Sequence, residues 1–164
     1  MDKQKFEELI KKVEEMKKSG NVDLSTEEDL SLAIMNLISL EEHFFFTGEK
    51  TGNADYFGFM DEVRTLRKEL LAKMIDKHEG ETWCISKHLL ATTMRLMEVG
   101  TKLYSDGKKE EAKDIFDKSY KTYSLFWAVR LKLVDTAGFK QIASSEKPWT
   151  YSDIVDKLVD CCDE

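Results

Sequence analysis

The stretch that decides the fold is Glu81–Ser105, ETWCISKHLLATTMRLMEVGTKLYS. Placed on a helix at about 100° per residue, Ile85, Leu89, Leu96, Val99 and Leu103 make one apolar side. Trp83, Leu90, Met94 and Met97 make an adjacent one. A helix apolar over so wide an arc has neighbours on several sides, which predicts a bundle. The remaining arc carries Cys84, Lys87, His88, Ala91, Arg95, Glu98 and Lys102, and is either the exposed side or the wall of a polar pocket.

Working outward, Glu79–Gly80 separates this helix from one that begins at the Asn53 cap and continues to about His78. Before that, Ser25 and Glu28 have the spacing of a capping box, opening a helix that runs to about Thr47, where Gly48–Gly52 breaks the pattern. On the other side, Gly107 precedes a helix with Ala112, Phe116, Tyr123, Phe126 and Trp127 on one face, fading near Ala137–Gly138. Phe6, Leu9, Ile10 and Val13 mark a narrow amphipathic helix ending at Ser19–Gly20–Asn21. A loop around Pro148 leads to Tyr151, Ile154, Val155, Leu158 and Cys162 at helical spacing. The expected fold is all-α: an antiparallel bundle of four long helices with a short amphipathic helix at each end. One domain is expected over 1–164, with 1–20 and 149–162 as the terminal helices and 25–137 as the bundle core.

Composition agrees with this and limits the function. The chain has 164 residues, 41% of them hydrophobic, enough for one compact core. One proline, eight glycines and no sustained Val/Ile/Thr alternation argue for helix and against sheet. A net charge of −7 with a pI of about 5.1 disfavours nucleic acid and anionic membranes as partners. No stretch approaches the roughly 18 apolar residues of a membrane span, and MDKQKFEEL has no signal-peptide character. Together with a solitary Cys84 and an adjacent Cys161–Cys162 pair, which do not resemble a disulfide framework, this points to a cytoplasmic protein with reduced thiols.

Three charges stand where apolar residues belong. Glu41 lies among Leu30, Ile34, Leu37, Phe44 and Phe45; Arg67 among Tyr56, Met60, Val63, Leu70 and Met74; Arg130 on the line of Phe116, Tyr123 and Trp127. Each needs a partner, a ligand or a water, because burying a lone charge is prohibitively costly. With antiparallel neighbours, Arg67 falls near the level of His88 and Tyr123, and Glu41 nearer Arg64, Arg95 and Glu98. The two levels differ by ~10 Å at the helical rise, which makes Arg64 the better partner for Glu41. One reading is a set of ion pairs that fix which helix packs on which. The other is an anion-accepting cavity built from Glu41, Arg64, Arg67, His88, Arg95, Tyr123 and Arg130.

Cys84 and His88, one turn apart, supply half of a metal site. Further ligands among His43, His78, Glu69 and Cys161–Cys162 have no spacing rule behind them. The residues three before His43, His78 and His88 are Leu40, Ile75 and Ile85, so the Glu-x-x-His pairs of di-iron bundles are missing. The chain contains no zinc-protease motif, Cys-x-x-Cys pair, phosphate-binding glycine loop or dinucleotide fingerprint. No cofactor is assignable. Phe44–Phe45–Phe46 surround a helix end with aromatics, so at least one is expected to meet a loop or a partner.

Between Leu96 and about Thr122, the run Val99–Gly100, Leu103, Gly107, Glu110–Glu111–Ala112, Phe116 and Ser119 resembles one tetratricopeptide repeat. That resemblance implies tight packing of a helix pair on its small residues and, where repeats stack, binding of peptides and protein partners. Gly100 and Ala112 are equally what any close helix hairpin needs. Two functions follow as expectations. The first is a helical binding or adaptor protein with a protein partner or a second copy of itself; the second is a bundle whose polar interior holds a small anionic ligand or metal, with enzymatic use of that interior as its extension.

Overall fold

The computed structural model describes residues 24–76 and 81–132, with Lys11, Glu15, Lys18 and Ser19 as separate positions before them. The described residues form four helices: α1 (Leu24–Thr51), α2 (Asp55–Ala72), α3 (Thr82–Ser105) and α4 (Lys109–Arg130). The expected helices at 1–20 and 149–162 lie outside the described residues.

Helix α1 runs through Gly48 and ends one turn later than its glycines suggest. Gly48 is buried against α2, where an added Cβ would stand 2.9 Å from Phe57 Cε1. Close approach of α2, not a break, is the reason for this glycine. The turn comes at Gly52, whose φ of 68° is left-handed and whose N–H reaches the Gly48 carbonyl at 2.8 Å. Asn53 Oδ1 then accepts the Asp55 N–H at 3.0 Å and starts α2. Helix α2 stops at Ala72, short of His78, because its last turn tightens: Lys73 N–H bonds to the Leu70 carbonyl and Met74 N–H to that of Leu71. The tightening turns Met74 and Ile75 into the core. Helix α3 spans nearly the expected residues. Helix α4 ends at Arg130, not near Ala137; Lys132, at φ 53°, closes it with its N–H on the Val129 carbonyl.

Consecutive helices run antiparallel, giving two hairpins, α1/α2 and α3/α4, with α1 lying on α3. The shared core sits where α1 and α3 begin and α2 and α4 end. Ile34 and Met35 of α1 meet Leu71, Met74 and Ile75 at the end of α2, Trp83, Cys84 and Leu90 of α3, and Phe126 of α4. Polar side chains join the hairpins there. Ser31 Oγ and Tyr123 Oη are 2.7 Å apart, linking α1 to α4, while the Ser119 hydroxyl donates to the Thr93 carbonyl at 2.9 Å, linking α4 to α3.

Toward its turn, the second hairpin repeats the device of the first. An added Cβ on Gly100 would lie 2.5 Å from Phe116 Cε1, and Ala112 is fully buried beside it. Gly100→Ala is therefore expected to destabilise the protein by about 1 kcal/mol, since overpacking outweighs the helix-propensity gain of roughly 1 kcal/mol. Adding Phe116→Ala, which removes the obstructing ring, should turn the effect into a gain; urea melts of the three variants measure both.

One expectation of the α3 pattern is only half met. Among the described residues α3 has two close neighbours, α4 and α1. Of its stripe, Leu89 packs against the shared core, Ile85, Leu96 and Leu103 remain half-buried, and Val99 is exposed.

Candidate functional site

The interior charges resolve into ion pairs between helices. Glu41 on α1 accepts Arg64 Nε at 3.0 Å through Oε2 and Arg67 Nε at 2.8 Å through Oε1, both from α2. A second Arg67 nitrogen stands 3.5 Å from Oε2. The Arg67 side chain is 1% exposed and Glu41 is buried, while Arg64 reaches in from the surface. Both arginines bond the same carboxylate because they lie one turn apart on α2 and extend toward it from the two sides. The separate levels expected for Glu41 and Arg67 therefore do not hold: a guanidinium on a flexible stem closes the difference.

The other candidates go elsewhere. Arg95 pairs with Glu42, not with Glu41, at 3.1 Å, and both side chains are well exposed. Arg130 on α4 holds Glu27 on α1 at 2.6 Å, in a half-buried position. Tyr123 binds Ser31 and stacks in an aromatic group with Phe126 and Trp127. His88 is exposed, whereas Cys84 lies buried within the core. No group of three or more potential metal ligands occurs among the described residues. Of the seven proposed ligand-binding residues, only Glu41, Arg64 and Arg67 come together.

Ser31, Glu27 and Glu42 were not singled out by pattern, yet each completes a pair. Ser31 had a usable signal, a small polar residue on the inward line of Met35 and Ile38. Glu27 and Glu42 had none, being two of many acidic residues on α1. At the core end a few buried polar atoms keep no partner: Glu27 Oε2, Arg130 Nε, Trp83 Nε1 and Ser86 Oγ.

The opposite end presents aromatics. Phe44 closes the α1/α2 turn by packing on Tyr56 and Phe59, with ring centroids 6.2 and 5.9 Å away. Phe45 and Phe46 are exposed and continue the α1 face whose earlier positions, Met35 and Ile38, pack inward. On α4, Phe116 and Tyr120 continue the face of Tyr123 and Trp127, and Tyr120 is 75% exposed. Met97, also exposed, follows Leu90 and Met94 on α3. Faces that meet in the core are thus left uncovered toward the turns.

No described helix is long and apolar enough to cross a membrane. Compared with known proteins, the chain matches no family model, and no similar curated protein or solved structure is found.

Proposed function

We propose that this is a cytoplasmic binding or adaptor protein that receives an apolar segment of a protein partner between its two hairpins, and that it does not act by catalysis. The observation that carries the reading is the exposure of Phe45, Phe46, Met97, Phe116 and Tyr120 on faces that are inward elsewhere in the bundle. Exposed aromatics and methionines concentrated in one region are the usual anchors of such contacts, and an amphipathic helix fits a gap between helix pairs. The tetratricopeptide-like packing of α3 on α4, with Gly100 under Phe116 and Ala112 buried, supports the same class of partner. The ion pairs point the same way: Glu41 already occupies the seat on Arg64 and Arg67 that an anionic ligand would take.

Affinity capture from the source lysate with wild-type protein and with Phe46→Ser/Tyr120→Ser tests it. Both positions are exposed, so the double variant is expected to fold and to lose at least about 90% of a stoichiometric partner, as hot-spot truncation does. Equal recovery by the two proteins would overturn the reading.

The unpartnered atoms at the core end favour a second reading, a small polar ligand held near Glu27, Trp83, Ser86 and Arg130. Native mass spectrometry distinguishes it: excess mass lost on denaturation supports a bound ligand, and a bare mass excludes one that survives purification.

A further inference from the structure

The outer side of the second hairpin differs in charge from the rest of the molecule. Within a chain of net charge −7, the stretches 82–97 and 118–132, which pair as the core half of α3 and α4, contain no aspartate or glutamate. They carry Lys87, Arg95, Lys118, Lys121, Arg130 and Lys132. Glu42, Asp114 and Glu27, all from outside these stretches, reach Arg95, Lys118 and Arg130.

On α4, Lys118, Lys121 and Leu125 fall on one line away from Tyr123 and Arg130, the residues that meet α1, and Leu125 is exposed. Beside that line runs the α3 stripe, half-buried at Ile85, Leu89 and Leu96 and exposed at Val99. Together they form an apolar face with a basic edge. It lies on the side of the hairpin opposite the aromatic opening.

We infer that this face is the docking site of the chain's own segment 149–162. That segment lies outside the described residues, and its sequence has the complementary character. Tyr151, Ile154, Val155, Leu158 and Cys162 make its apolar stripe, ~17 Å long as a helix, which matches the ~17 Å from Ile85 to Leu96. Asp153, Asp156, Asp160 and Asp163 cluster on its polar arc, with Asp156 and Asp163 nearest one border of the stripe; Lys157 falls toward the other. One edge is thus acidic, opposite in sign to the Lys118–Lys121 edge.

The connection permits it. The described chain ends at Lys132, two residues past α4, and residues 133–148 can span up to roughly 50 Å when extended, more than the ~33 Å length of α4. A tether of that kind holds the segment at an effective concentration on the order of millimolar, so a modest affinity is sufficient. The inference is independent of the aromatic opening and does not require a partner protein.

Amide hydrogen exchange on the full chain, with its mass measured by light scattering, tests the docking. In the wild type, amides across 151–162 are expected to exchange at least about tenfold more slowly than unstructured ones. Leu125→Asp, at an exposed position, should abolish that protection while α1 and α2 keep theirs. Lys118→Glu/Lys121→Glu should weaken it, and adding Asp156→Lys/Asp160→Lys should restore it. An unprotected segment in the wild type, or protection indifferent to Leu125→Asp and to the charge reversal, would overturn the assignment. A dimeric mass with protected tails would overturn it in favour of docking on a second copy.

Discussion

Glu41→Leu is expected to cost about 3 kcal/mol, the scale on which a buried pair fails when one partner is removed. For a chain of this size that corresponds to a fall in melting temperature of roughly 6–12 °C. The cost arises because Arg67, 1% exposed, keeps its charge and its place in the helix while losing the carboxylate that accepts its Nε. The reverse substitution is expected to be milder. Arg67→Leu leaves Glu41 still bonded to Arg64, whose side chain also remains partly in water. The double variant Glu41→Leu/Arg67→Leu should lie near the wild type, because an apolar pair of similar size removes two desolvation costs together. Urea midpoints for the three proteins provide the ranking. If Arg67→Leu proves the more damaging single change, Arg64 does not hold Glu41 in solution, and the shared carboxylate is a two-body pair.

Phe126→Ala is the second large effect, about 4 kcal/mol, as for other fully buried aromatics. Its ring is 0% exposed and packs against Tyr123 and Trp127 at centroid distances of 6.1 and 5.6 Å. The more informative outcome concerns the first hairpin. Because Phe126 belongs to a cluster that includes Ile34, Met35 and Leu71, its loss should lower the stability of α1 and α2 as much as that of α3 and α4. Global exchange rates measured separately for the two hairpins check this. Weakening confined to α3 and α4 would mean that the hairpins unfold independently, with the polar links Ser31–Tyr123 and Glu27–Arg130 too weak to couple them.

The helices themselves were legible because their apolar residues recur at the helical period over many turns. Their ends were less so. Gly48 reads as a breaker, yet only the proximity of Phe57 shows that it is a contact residue inside α1. The early stop of α2 is equally invisible in sequence, since it depends on what Met74 and Ile75 gain by turning inward. Among the candidate site residues, Glu41, Arg67 and Arg130 were recognisable as charges on an apolar line, and Arg64 as a partner for Glu41 by its level. Glu27 and Glu42 were not, because a partner on another helix leaves no mark on the local pattern of its own.

Local periodicity was sufficient to establish four long helices, antiparallel neighbours and three interior charges that had to be neutralised. Hydrophobic spacing is a property of each helix alone, and unpaired burial is prohibitively costly in any arrangement. Which carboxylate meets which arginine, and which stripe stays uncovered, depended on how the two hairpins sit on each other. Glu41 beneath two arginines, the exposed Phe45, Phe46 and Tyr120, and the half-buried outer stripe of α3 are results of that packing. They follow from contacts between residues distant in the chain, whose geometry one-dimensional spacing does not specify.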